Sequence, residues 1–207
     1  MMVEVFSHFC WIITFMTLGL WLFGATQRPL VIKFGVMILI VIALYAPFQD
    51  LLLIQFFRGY CGDLSITMTL LAKIRLIDIL FAKKCYHQRD WQGFMIFILL
   101  MTFFLYPLYL GATYWDPYVL GFGGWPIGIS MTVLGLVAIS SKFYLIGLCL
   151  MLAMLMQIAN LSESKNIWNN LLDPFAAVYA IGWAVRRGVE TLSKRYIQQQ
   201  LSIHKSL

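Results

Sequence analysis

Charge is what this chain has least of. Only 12% of its 207 residues are Asp, Glu, Lys or Arg, about half the share of an average soluble domain. With 61% hydrophobic residues and a mean hydropathy of +0.83, the composition excludes an ordinary soluble domain. It predicts an all-α integral membrane protein. No polar stretch is long enough to fold as a soluble domain, and the largest one begins at Arg186.

Cysteine is scarce and scattered. Cys10, Cys61, Cys85 and Cys149 form no CxxC and no metal-ligand spacing, so neither a metal nor a cofactor is expected. A Cys10–Cys61 disulfide requires both on the outer side; otherwise the four are small apolar side chains. Also missing are a Ser-His-Asp arrangement, an HExxH site, a dinucleotide fingerprint and a haem-ligand pair. The glycines of "GFGGWPIG" (Gly121 to Gly128) lack the strand-loop-helix context and Lys-Ser/Thr ending of a P-loop. They read as a tight turn or a close helix contact. The start, "MMVEVFSHFCWIITF", has no basic n-region, carries Glu4 and is followed by no small-x-small site. The first apolar run is therefore predicted to be a retained span. No repeat is evident. The net charge of +6 is not laid out as a basic stripe with stacking aromatics, so no nucleic-acid partner is expected.

What is present is a series of apolar runs. They lie at about 6–25, 29–48, 63–84, 92–113, 119–140, 143–161 and 171–185. The stretch from 119 to 161 would reach about 65 Å as one helix, twice a hydrocarbon core of about 30 Å, and "SSK" (Ser140 to Lys142) is the natural place to fold it. This predicts a bundle of about seven transmembrane helices in one domain, 1–187, followed by a basic cytoplasmic tail, 188–207. Six spans result if the last run lies on the surface instead. With the N-terminus outside, Arg28, Lys83, Lys84, Arg89, Lys142, Arg186, Arg187, Lys194, Arg195 and Lys205 all fall inside. Arg58 and Lys165 fall outside, among Asp50, Asp63, Asp116, Glu163 and Asp173. This is the positive-inside bias, and it predicts a multi-pass protein of the plasma membrane.

Four aspartates precede helical runs: Asp50, Asp63, Asp116 and Asp173. Aspartate caps helix N-termini by accepting their orphan N–H groups, and Pro117 and Pro174 suit the first helical position. The competing reading is catalytic. Asp63, Asp116 and Asp173 share one membrane face with Tyr114, Trp115, Tyr118, Trp125 and Trp168, and carboxylates there have the chemistry for acid–base work on a head group. Tyr and Trp also collect at membrane interfaces without any such role.

A second group of charges lies within an apolar run. "GDLSITMTLLAKIRLIDILFAKK" (Gly62 to Lys84) carries Lys73, Arg75 and Asp78. Spanning from Asp63, it places Lys73 near the bilayer centre at a cost of about 2.5–3.5 kcal/mol. Arg75 and Asp78 are three apart and can pair, and Lys33 sits at a similar depth as another partner. In a second register the span is 51–72, and residues 73–84 lie on the inner surface. Three functions follow. The first is a non-catalytic accessory subunit packed against a larger membrane protein. The second is an enzyme acting on a lipid or lipid-linked substrate at the outer face. The third is a small transporter with a polar path through Arg58, Asp63, Lys73, Arg75 and Asp78.

Overall fold

The computed structural model describes residues 2–111 and 114–205, and the side chains of all of these except 197 and 199–205. Thr113, the expected end of the fourth span, lies outside the described residues. Among the described residues the fold is all-α apart from one hairpin of two two-residue strands, Pro47–Phe48 and Leu51–Leu52. Its helices are α1 (Met2–Leu22), α2 (Leu30–Leu44), α3 (Leu53–Cys61), α4 (Ile66–Phe81), α5 (Gln88–Tyr109), α6 (Trp125–Ser140), α7 (Tyr144–Ile158), α8 (Ile167–Leu171) and α9 (Pro174–Lys205). Short 3-10 turns occupy Ala25–Gln27 and Pro117–Phe122.

Successive long helices alternate in direction. Trp11 of α1 donates to Gly62 O at 3.2 Å and Thr17 to Ala72 O at 3.0 Å, so α1 and α4 run side by side and parallel. Asp90 at the start of α5 meets Leu145 at the start of α7. Asp173, just before α9, meets Ser65, just before α4. The alternation collects Glu4, Asp50, Asp63, Asp116, Glu163 and Asp173 at one end of the bundle, with Arg58 and Lys165. Arg28, Lys83, Lys84, Arg89, Lys142, Arg186 and Arg187 gather at the other. We call these the acidic end and the basic end.

Among the described residues two helices, α1 and α5, are long and apolar enough to cross a membrane, and only 33% of each apolar window is buried inside the protein. Three more, α2, α6 and α7, are apolar but of 15 or 16 residues. The chain packs around two centres. Ile66, Leu70, Trp91, Phe94, Ile98, Leu150 and Leu171 belong to the larger, joining α4, α5, α7 and α8. Trp11, Leu44, Ile54 and Leu64 form the smaller, between α1, α2, α3 and α4. Helices α6 and α7 meet through small residues: a Cβ on Gly147 would overlap the Ile139 side chain and press on Gly135 O at 3.0 Å.

The expected third span begins later than Asp63. The chain breaks at Gly62, whose φ of 77 favours glycine. Ser65 then caps α4 by accepting the Met68 N–H at 3.1 Å. Asp63 is two residues too early to do so. Asp50 caps nothing either: it lies with Gln49 in the hairpin turn, both at positive φ, and α3 starts from Leu52. Helices α3 and α4 are separate, and α4 runs unbroken through Lys73, Arg75 and Asp78. Helix α9 runs through 187–188, the expected start of the basic tail, as one helix of 32 residues. All four cysteines are free thiols, with Cys10 and Cys149 buried and Cys61 and Cys85 exposed at opposite ends of α4.

Candidate functional site at the acidic end

The site grows from the break between α3 and α4. Arg58, in the last turn of α3, turns its Nε toward Asp63 Oδ1 at 3.0 Å, and its other nitrogen pairs with Glu163 Oε1. Asp63 Oδ2 accepts the Glu163 backbone N–H at 3.0 Å. One arginine thus ties the α3–α4 turn to the loop between α7 and α8. Glu163 is largely exposed and Asp63 is not.

That loop reads "SESKNIWNN", and its asparagines shape it. Asn166 is fully buried. Its Oδ1 accepts the Trp168 N–H at 3.0 Å, capping α8, and its Nδ2 donates to Tyr118 O at 2.9 Å. The Trp168 indole N–H donates to Pro117 O at 3.0 Å, and the Tyr118 hydroxyl to Asn169 Oδ1 at 2.9 Å. Asn170 donates to Gln157 Oε1 at 2.6 Å. The 3-10 turn after Asp116 packs against this loop because Gly121 has no side chain: a Cβ there would overlap Asn166 and Trp168.

Asp173 is buried at the floor. Its Oδ2 accepts the Ser65 N–H at 2.8 Å and its Oδ1 the Ala176 N–H at 2.7 Å, so one carboxyl caps the starts of both α4 and α9. Burial pushes its pKa above the ordinary 3.8, and the N–H groups of Ala176 and Ser65 partly oppose that rise. Together these elements surround a cavity of about 400 Å³ reached by Asp63, Tyr106, Tyr109, Tyr118, Glu163, Trp168 and Asp173.

Of the three candidate aspartates, Asp63 and Asp173 therefore share this cavity. Asp116 does not: it caps its own 3-10 turn, accepting the Tyr118 N–H at 2.8 Å. Among the interface aromatics, Tyr118 and Trp168 line the cavity. Tyr114, Trp115 and Trp125 are exposed outside it, with Trp115 edge-on to Phe104 at 6.0 Å. Among the described residues no group of three or more His, Cys, Asp or Glu is arranged to hold a metal ion.

The charges of α4 divide. Arg75 donates to the Tyr179 hydroxyl at 2.7 Å, lies 4.7 Å over the Trp91 ring and approaches Asp78 at 3.7 Å. Tyr86 donates to the same Asp78 oxygen at 3.1 Å. Burial raises the Tyr86 pKa to about 12, against the lowering effect of Arg75, so the phenol keeps its proton. Lys33 is buried and donates to Ile79 O at 2.5 Å; its ammonium satisfies a carbonyl near the C-terminus of α4, a favourable place for a cation. Lys73 stands apart, exposed on α4, and among the described residues it has no hydrogen bond or ion pair.

Sequence reasoning missed Ser65, Asn166, Asn170 and Asp90, the last of which caps α7 by accepting the Leu145 N–H at 3.1 Å. Three of these sit beside helix starts, where Ser, Asn and Asp are expected. Ser65 and Asn166 cap the helices they precede, through Met68 and Trp168, whereas Asp90 caps a helix that starts more than fifty residues away, which no local pattern announces. Comparison with family models, with curated proteins and with solved structures finds no match for this chain.

Proposed function

We propose that this is a multi-pass plasma-membrane protein of seven crossings, acidic end outside and basic end in the cytoplasm. In this reading it serves as a non-catalytic subunit held against a larger membrane partner. Support for the membrane reading is the wide apolar surface. Ile129, Val133, Leu134, Leu136 and Val137 of α6 are all exposed, and only 33% of the apolar windows of α1 and α5 is buried. A soluble helix would bury one such stripe.

The observation that carries the partner is Lys73. It lies seven residues into α4, about 10 Å from the helix start and about 12 Å from its end. An uncompensated lysine at that depth costs about 2.5–3.5 kcal/mol. Arg75, Asp78 and Lys33 each have a protein partner; Lys73 has none among the described residues. An acidic residue on a neighbouring protein's helix would remove the penalty. The enzyme reading has less support, because Asp63, Asp116 and Asp173 are each held by an arginine or by backbone N–H groups. The transporter reading also has less, because Lys73, Arg75 and Asp78 lie outside the cavity that Asp63 lines.

Solubilised in mild detergent, the wild type should run on a native gel above the mass of one chain. Lys73→Leu should run as one chain with an unchanged or raised melting temperature. A wild-type protein that is solitary and monodisperse rules out the subunit reading. Orientation is tested separately with a membrane-impermeant maleimide on intact cells. Cys61 should react and Cys85 should not; the reverse pattern inverts the topology.

A further inference from the structure

We propose that the cavity at the acidic end binds a small organic ammonium group, such as trimethylammonium. Among the described residues three carboxyl residues line it, Asp63, Glu163 and Asp173, and no Lys, Arg or His does. Arg58 pairs with both Asp63 and Glu163 from outside the lining, so that pair alone carries one carboxylate more than its cation, whatever the protonation of Asp173. Four aromatic residues share the wall with small and aliphatic ones. Tyr109 and Tyr118 stand 4.8 Å apart, joined by Tyr106 and Trp168. The polar tips of Tyr118 and Trp168 are already bonded to Asn169 and Pro117. Ring faces attract cations through their quadrupole. A bare metal ion suits the site poorly, since it requires converging oxygens, and the oxygens of Asp63 and Asp173 are engaged by Arg58 and by backbone N–H groups. A diffuse organic cation needs only the negative potential and the rings. The volume of about 400 Å³ is in the range of small-ligand pockets and leaves room for a substituent beyond the ammonium head.

Cys61, exposed at the cavity, is a built-in reporter. In detergent-solubilised Cys85→Ser protein, it is modified with a trimethylammonium-bearing or a sulfonate-bearing thiosulfonate. The cationic reagent should be favoured at least about tenfold over its preference for a small free thiol, as expected of a charged cleft. Choline chloride should slow the reaction more than sodium chloride of equal ionic strength. The neutral isostere 3,3-dimethylbutan-1-ol should protect at least about tenfold less well. Glu163→Gln, at the exposed lip, should reduce the charge preference. Tyr109→Leu should weaken choline protection about fivefold while the melting temperature holds. Two sources of the ligand are then separated in nanodiscs. Protection by a phosphatidylcholine bilayer without added choline assigns a lipid head group. Protection by free choline in phosphatidylglycerol discs assigns a soluble amine. An unreactive Cys61, equal preference for the two reagents, or equal protection by choline and its neutral isostere overturns the proposal.

Discussion

At the acidic end, side-chain oxygens face backbone N–H groups. Asp173, Asn166, Ser65 and Asp116 each cap a helix start or a turn, and segments as distant as Ser65 and Asp173 are joined through one carboxyl. At the basic end Asp90 caps α7 in the same way, but most charged groups there are cations, and aromatic faces receive several of them. Arg75 lies over Trp91, Arg89 over Phe143 at 5.0 Å and Arg187 over Trp183 at 5.7 Å. The first arrangement is short-range, directional and buried, so removing a member leaves orphaned donors. The second is looser and partly exposed, so removing a member lets water take its place. Polar stabilisation should therefore be unequal along the bundle.

The sharpest break in that contrast is Asp173→Ala. It strands two buried N–H groups, each worth about 1–3 kcal/mol, and should lower stability by about 3 kcal/mol, read as a fall in melting temperature in detergent. Asp173→Asn should do less, since it keeps one acceptor oxygen. The pair also separates by pH. Because burial raises the folded pKa of Asp173 above 3.8, the folded state holds its proton where the unfolded chain has lost it. The stability tied to this proton is fully present below pH 3.8 and is lost as pH rises through the folded value. Wild type should lose stability relative to Asp173→Asn over that rise. A difference between the two that does not change with pH would count against the buried acid.

Next in size is Gly121→Ala. Its methyl group meets Asn166 and Trp168, an overpacking cost of about 1–3 kcal/mol. It should also disturb the environment of Trp168, visible in tryptophan fluorescence. At the basic end, Arg75→Gln should cost about 1 kcal/mol. It loses a partly exposed ion pair of small worth and a ring contact. A loss as large as that of Asp173→Ala would erase the contrast. The smallest effect belongs to Glu190→Ala. Its bond to Arg186 at 2.9 Å is exposed, and although Arg186 lowers the Glu190 pKa, no change in melting temperature should be measurable.

What could be read from the sequence was periodic or local. The fold between α6 and α7 followed from a run too long for one helix, and the turn falls at Ser141–Lys142, where Lys142 takes a φ of 63. The caps at Asp116 and Asp173 were legible because an Asp-Pro pair states a helix start in two residues. The segregation of acids from bases was legible because alternating helices turn loop charge into end charge. What was not legible depended on contact across the fold. Asp63 resembles a cap until Ser65 is seen to sit at the true start, with Arg58 already holding the aspartate. Lys33 and Asp78 match in depth, yet the lysine meets the Ile79 carbonyl instead. The cavity joins residues from 61 to 174, and no spacing along the chain encodes that meeting.

Helix α9 adds a mechanical consequence. It is one continuous rod of 32 residues, about 48 Å long, clamped at its first turn by the same carboxyl that caps α4. Arg75 holds it again at Tyr179, so the rod is anchored over its first turns and is a lever beyond them. A tilt of about 5° at Asp173 carries the far end sideways by about 4 Å, so a small displacement beside the cavity becomes a stride at the opposite pole.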